Sequence, residues 1–111
     1  LTSGTGTWQY STNGGATCAP ELLAAVEQVA ADSVWTHVTD GRFRGGWTTR
    51  HYGRPEDGIH AIQMELAQRG YMAEPEAITH ANWPSPLDPD PAIRPVLEQV
   101  IAATLDFAKG R

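Results

Sequence analysis

The sequence predicts a small α/β fold in which a thin sheet is flanked by helices. Two helical stripes of apolar residues lie near the two ends of the chain, and short β-branched or apolar segments lie between them, bounded by glycine and proline. A chain of 111 residues has room for one core of ordinary size. Its 41% hydrophobic and 19% charged residues suit a packed core and not a disordered chain.

Taken in order, residues 1–17 are rich in Gly, Ser and Thr and uncharged, so they are expected to form an irregular N-terminal segment ending in a turn at Asn13-Gly14-Gly15. Residues 18–111 then form the single α/β domain. A helix opens at Pro20, whose missing N–H is no loss in a first turn, and Leu22, Leu23, Val26, Val29 and Ala30 make its apolar stripe. It should stop near Asp32, because Ser33 to Val38 is β-branched and aromatic and reads as a strand, closed by a turn at Asp40-Gly41. Gly41 to Pro55 holds glycines at 41, 45, 46 and 53 and reads as a long shaped loop, with Trp47-Thr48-Thr49 able to pair briefly as a strand. Ile59 to Leu66 fits either a short buried strand or a helical turn or two, which periodicity does not separate at this length, and the strand is the expectation. The five prolines of residues 73–91 point to an extended surface connection. Asp90 as N-cap and Pro91 in the first turn then open a last helix, with Ile93, Val96, Leu97, Val100, Ile101 and Thr104 on one face and Gly110 as its stop.

Composition excludes several function classes. Eight basic against thirteen acidic residues leave a net charge of −5, contrary to a general nucleic-acid or anionic-membrane binder, for which phosphate attraction dominates affinity. No apolar run approaches the roughly 18 residues needed to span a bilayer, and the polar start LTSGTGTWQ lacks the pattern of a secretory signal. A cytoplasmic protein is the simplest expectation. The single Cys18 cannot form an internal disulfide, which suits a reducing compartment, and its expected role is that of a small buried core residue.

The charge is unevenly spread. Arg42, Arg44, Arg50 and Arg54 lie between Gly41 and Pro55 with no acidic residue among them, so this window carries +4 within a chain of −5 and leaves −9 elsewhere. Arginines and His51 on a glycine-rich loop can present planar, bidentate donors to the carboxylates of a small anionic ligand. The structural alternative pairs these arginines with Asp40, Glu56 and Asp57 at the loop edges, where exposed ion pairs contribute little. Trp47 is the tryptophan best placed to line a ligand site, because it lies in this loop.

In IHAIQMEL, strand alternation puts Gln63 and Glu65 on one side with Ala61, and His60, Ile62, Met64 and Leu66 on the other. A partly desolvated carboxylate can take and return a proton near neutral pH, which makes Glu65 a candidate general base. The alternative is a Glu at a strand end in water or paired with an arginine. The histidines His37, His51, His60 and His80 show no His-x-x-x-His pair or other tight ligand spacing, so no metal site is assigned within this chain.

The run GRFRGGWTTRHYGRPEDGIHAIQMELAQRGYM, from Gly41 to Met72, closely resembles the N-formylglutamate amidohydrolase family, and STNGGATC followed by a helix is similar to that family's Gly-Thr-x-x-Gly-Ala-Ser-Cys stretch. The resemblance is readable from about Ser11 to Met72 and looser over the last helix. It implies a zinc-dependent hydrolase of zinc-carboxypeptidase-like fold that releases formate and glutamate from N-formyl-L-glutamate in bacterial histidine degradation. It also implies that Glu65 is the general base and acid, and that the arginine loop, with Arg42, Arg44, Arg50, Arg54, His51, Trp47 and Gln63 as candidates, holds the substrate's two carboxylates. Family members are longer, and their metal-binding motifs, an early His-containing turn and an Asp-x-His-Ser, are not found here. The chain therefore resembles the family's C-terminal half: a truncated piece, inactive alone, with zinc not fully ligated by its own residues. The competing expectations are a non-catalytic dicarboxylate-binding module and a domain that self-associates to cover the open edge of a thin sheet.

Overall fold

The computed structural model describes residues 8–67, 77, 79–81 and 93–110. Its first strand, β1 (Trp8–Ser11), is fully buried, and it is the centre of the sheet. Here the structure corrects, at residues 8–11, the expectation of an irregular segment spanning 1–17. The alternation Trp-Gln-Tyr-Ser has the period of a strand, hidden at the sequence level by the Gly, Ser and Thr around it.

The turn at Asn13-Gly14-Gly15 forms as expected, with Asn13, Gly14 and Gly15 all at positive φ. Helix α1 (Pro20–Ala31) follows with Pro20 in its first turn and Asp32 as C-cap. It leads to β2 (His37–Thr39), which runs parallel to β1 and pairs Trp8 with His37 and Tyr10 with Thr39. The β1–α1–β2 unit is the usual way to join parallel strands, through a covering helix. The expected strand from Ser33 is shorter and later than its β-branched composition suggests. Ser33 bonds back to the Ala30 carbonyl and extends the helix exit instead, leaving Val34 89% exposed.

Trp47-Thr48-Thr49 is helical, not extended: α2 spans Trp47–Tyr52. A 3-10 turn, Pro55–Asp57, then closes a small hairpin in which Arg54 bridges Ile59. Strand β3 (Gln63–Leu66) pairs antiparallel to β1, with Gln9 opposite Glu65 and Ser11 opposite Gln63. The expected strand from Ile59 is thus confined to its second half. Ala61 is pinned to Thr17, whose carbonyl takes the Ala61 N–H and whose hydroxyl donates to the Ala61 carbonyl. Helix α3 (Ile93–Lys109) packs against α1 and stops at Gly110. The proposed caps Asp90 and Pro91, and most of the proline-rich connection, lie outside the described residues.

The sheet, in the order β2-β1-β3, has two unlike faces. Trp8 and Tyr10 point to the helices, where Cys18, Leu22, Val26, Ala30 and Ile93 complete a buried cluster with Met64 and Leu66 packed against it. Of the expected α3 face, Ile93 is buried and Val96, Leu97 and Val100 pack on the core, whereas Ile101 is 59% exposed and Thr104 is exposed too. The opposite sheet face carries Gln9, Ser11, Gln63 and Glu65 and is covered by the loop from Asp40 to Gly46.

Gly53 ends α2 in a place with no room for a side chain. A Cβ there would lie 2.5 Å from Thr17 Cβ and 2.7 Å and 2.8 Å from the carbonyl oxygens of Thr17 and Thr49. Because two of these atoms are backbone, relief requires α2 to move. Gly53→Ala is therefore expected to lower stability by about 1–3 kcal/mol in urea unfolding, the usual range for overpacking; an unchanged midpoint would show that α2 is not wedged against the Thr17 segment.

Candidate functional site

The polar sheet face organises the site. Gln9 and Ser11 are buried polar residues, and both donate to the Phe43 carbonyl oxygen, through Gln9 Nε2 at 2.6 Å and Ser11 Oγ at 2.9 Å. Buried amides and hydroxyls without partners are costly, so this face requires a loop that brings polar backbone to it. The loop's entry is set by Asp40. Its carboxylate accepts from the Thr12 N–H at 2.7 Å and from the Thr12 hydroxyl at 2.5 Å, while its own N–H donates to the Tyr10 carbonyl at 2.8 Å. Asn13 N–H donates to the Arg44 carbonyl at 2.8 Å and closes the other side.

Burial works against a charged Asp40, but the hydrogen bonds from Thr12 and the Gly14 N–H and the nearby Arg44 charge outweigh it, so its carboxyl titrates below the usual carboxylate value. The Arg44 guanidinium lies over the turn at Gly14, where a Cβ would come within 2.7 Å of Nη2.

Glu65, half-buried on β3, is held by its neighbour two residues before it: Gln63 Nε2 donates to Glu65 Oε1 at 2.7 Å. The Gln63 side-chain oxygen, Oε1, accepts from the Gly46 N–H at 2.7 Å and the Thr49 hydroxyl at 3.2 Å. The carboxylate is therefore tied to the start of α2, within the arginine-bearing segment. Gly45, at φ 108, makes the bend that brings Gly46 there, a conformation that side-chain-bearing residues rarely adopt.

The sequence candidates take different places. Trp47 and His51, one helical turn apart, stack with centroids 4.2 Å apart, and Tyr52 meets both edge-on. Arg50 returns its Nε to the Gly46 carbonyl at 3.4 Å. Arg42 lies 5.7 Å from the Phe43 ring centroid, and Arg54 pairs with Asp57 at 3.5 Å. All four arginines are solvent-exposed. Two of them face the carboxylates at the loop edges: Arg54 through its ion pair, and Arg44 through the Asp40 charge.

Zinc does not fit the described residues, among which no group of three or more His, Cys, Asp or Glu side chains is placed to hold a metal ion. His60 Nδ1 accepts from the Ala19 N–H at 3.0 Å at the start of α1, and its ring meets Phe107 edge-on. Cys18 is buried in the core, and burial, aided by the Asp40 and Glu27 charges, pushes its thiol above the usual value, which suits packing and not nucleophilic attack. A cavity of about 410 Å³ lies on the helix side of the sheet, bordered by Tyr10, Val26, Tyr52, Met64 and Val100. It contains neither Glu65 nor any of the four arginines.

Sequence reasoning missed Gln9, Ser11, Thr12 and Thr49 as parts of this site, and it named Asp40 as an arginine partner but not as the anchor on Thr12. The alternation of Trp8 to Ser11 was the available signal for the first two. Nothing local marks Thr12 and Asp40, which meet across 28 residues.

A family model for N-formylglutamate amidohydrolase matches residues 4–72. N-formylglutamate deformylases of Pseudomonas aeruginosa and Pseudomonas putida are 42% and 41% identical over 105 residues, 94% of this chain and 38% of each relative. The crystal structure of N-formylglutamate amidohydrolase from Ralstonia eutropha JMP134 shares the fold, with a TM-score of 0.66 at 18% identity over 95% of this chain and 34% of that one. The chain thus spans under two fifths of the length of the curated relatives it matches. Among the described residues no helix is long and apolar enough to cross a membrane.

Because the folded-state pKa of Asp40 is depressed, its charge contributes stability above the ordinary carboxyl value of 3.8, and that contribution is lost as pH falls through the lower folded value. Asp40→Asn is expected to lower the urea midpoint at pH 7 and to approach the parent protein below about pH 3.8. A stability gap that stays constant down to pH 2.5 would contradict the role given to this carboxylate.

Proposed function

The chain belongs to the N-formylglutamate amidohydrolase family, and from that premise we propose that it supplies the general base and the carboxylate-binding loop of an enzyme that hydrolyses the formyl amide of N-formyl-L-glutamate. The observation that carries this reading is the Gln63 bond, which ties the Glu65 carboxylate to the arginine-bearing segment through Gly46 and Thr49. A substrate whose two carboxylates meet exposed guanidinium groups on that segment would bring its formyl end towards Glu65.

In this reading Glu65 removes a proton from water as the water oxygen bonds to the formyl carbon. The carbon–nitrogen bond then breaks, and Glu65 returns the proton to the departing amine nitrogen, leaving formate and glutamate. Arg42, Arg44 and Arg50 hold the substrate carboxylates, which bidentate guanidinium groups suit. Arg54, paired with Asp57, is the weaker candidate. Trp47 and His51 form a stacked pair on the same segment.

Where the family uses zinc, we propose that its ligands come from residues other than those described here, in the part of the relatives' length that this chain does not span. This accords with the absence of a ligand cluster among the described residues and with the 38% coverage of the relatives. The sheet β2-β1-β3 would then be one part of a larger zinc-carboxypeptidase-like sheet, and the enzyme would act in cytoplasmic histidine degradation. The chain alone would be inactive.

The test is to mix the chain with the segment of the Pseudomonas aeruginosa relative that it does not span, add zinc, and measure formate release from N-formyl-L-glutamate. Turnover is expected from the mixture and not from the chain alone. Glu65→Gln should lower kcat by about 10²–10⁴-fold, while Arg→Ala changes at 42, 44 or 50 should raise KM by about tenfold or more for each guanidinium that meets a carboxylate. Calorimetric binding of glutamate that requires the arginines, with no formate released by the mixture, would favour a non-catalytic dicarboxylate-binding module instead.

A further inference from the structure

We propose that Gln63 is a positioning residue that fixes the Glu65 carboxylate and couples it to the seating of the arginine loop, and that it is not a substrate ligand. The inference rests on the reading of Glu65 as general base. Its ground is that the Gln63 side-chain oxygen and one of its two Nε2 hydrogens already have partners within the protein. The Gly46 N–H can only donate, so the Gln63 oxygen must face it, at 2.7 Å, with the Thr49 hydroxyl adding a second donor at 3.2 Å. That assignment leaves Nε2 to face Glu65 Oε1, again at 2.7 Å.

The three contacts form one chain: loop and helix start, amide, carboxylate. A Glu65 side chain free to rotate would place its oxygens over several rotamers, whereas the hydrogen bond from Nε2 selects one. The backbone geometry suits the arrangement. Gly46 leaves its N–H facing Gln63, and a Cβ there would already lie 3.4 Å from the Gln63 oxygen. If the loop leaves its seat, the Gln63 oxygen loses its Gly46 donor and the amide is free to turn away from Glu65. Carboxylates bound at the arginines would therefore favour the orientation of Glu65 through this amide, without touching it.

Two variants separate the roles. Gln63→Glu keeps an acceptor for Gly46 and Thr49 but removes the donor to Glu65 and sets a like charge beside it. Gln63→Leu removes both. In the reconstituted enzyme, Gln63→Glu is expected to lower kcat by about tenfold or more with KM for N-formyl-L-glutamate within about threefold of the parent. In the 111-residue chain itself, carbon relaxation at the Glu65 Cγ should show an ordered side chain in the parent and rotamer averaging in both variants. An unchanged kcat together with an equally ordered Glu65 would overturn the proposal, as would a raised KM at constant kcat, which would make Gln63 a substrate ligand. Loss of Glu65 order without loss of turnover would uphold the positioning role and instead remove Glu65 from the reaction.

Discussion

The central strand has a polar face that is buried, and much of the structure follows from satisfying it. Gln9 and Ser11 lie beneath a loop, and the Phe43 carbonyl accepts from both. An unpaired buried donor costs roughly as much as two ordinary hydrogen bonds contribute. The loop from Asp40 to Gly46 is therefore held at fixed backbone atoms, and not merely laid over the sheet. Asp40 anchors one end on Thr12, and Gly46 anchors the other on Gln63.

This attachment explains why the glycine-rich segment can carry functional groups. The backbone is tied at Asp40, Phe43, Arg44 and Gly46, while the guanidinium groups remain at the surface. The short helix α2 exists on the same terms. Six residues with no side-chain N-cap form a marginal helix in isolation. Here the Gly46 N–H and the Thr49 hydroxyl both find Gln63, and Gly53 fits closely against Thr17. The helix is thus a product of the sheet face that it covers.

The two sheet faces divide the labour. On the helix side, Trp8, Tyr10, Leu22, Val26, Ala30 and Ile93 bury apolar surface, the dominant favourable contribution to folding. On the loop side, hydrogen bonds set geometry and bring Glu65 into line with the start of α2. Every change of direction along β1 alternates between these tasks, so a one-residue slip in register would move its polar residues into the core and its aromatic residues under the loop.

Much of this could be read from residues alone. The helix at Pro20, its end near Asp32, the turn at Asn13-Gly14, the stop at Gly110, a strand containing Gln63 and Glu65, and the +4 window all carry local signals: periodicity, caps, glycine and charge. So does the family, through the run from Gly41 to Met72. What the tertiary structure alone decided is where those pieces meet. Trp8 to Ser11 is a strand because two partners flank it, and Trp47 to Tyr52 is a helix because Gln63 and Thr17 receive it. Asp40 is an anchor because Thr12, 28 residues away, lies beside it. Periodicity and caps act within a few residues, whereas the pairing of buried polar groups depends on contacts that exist only once the chain has folded.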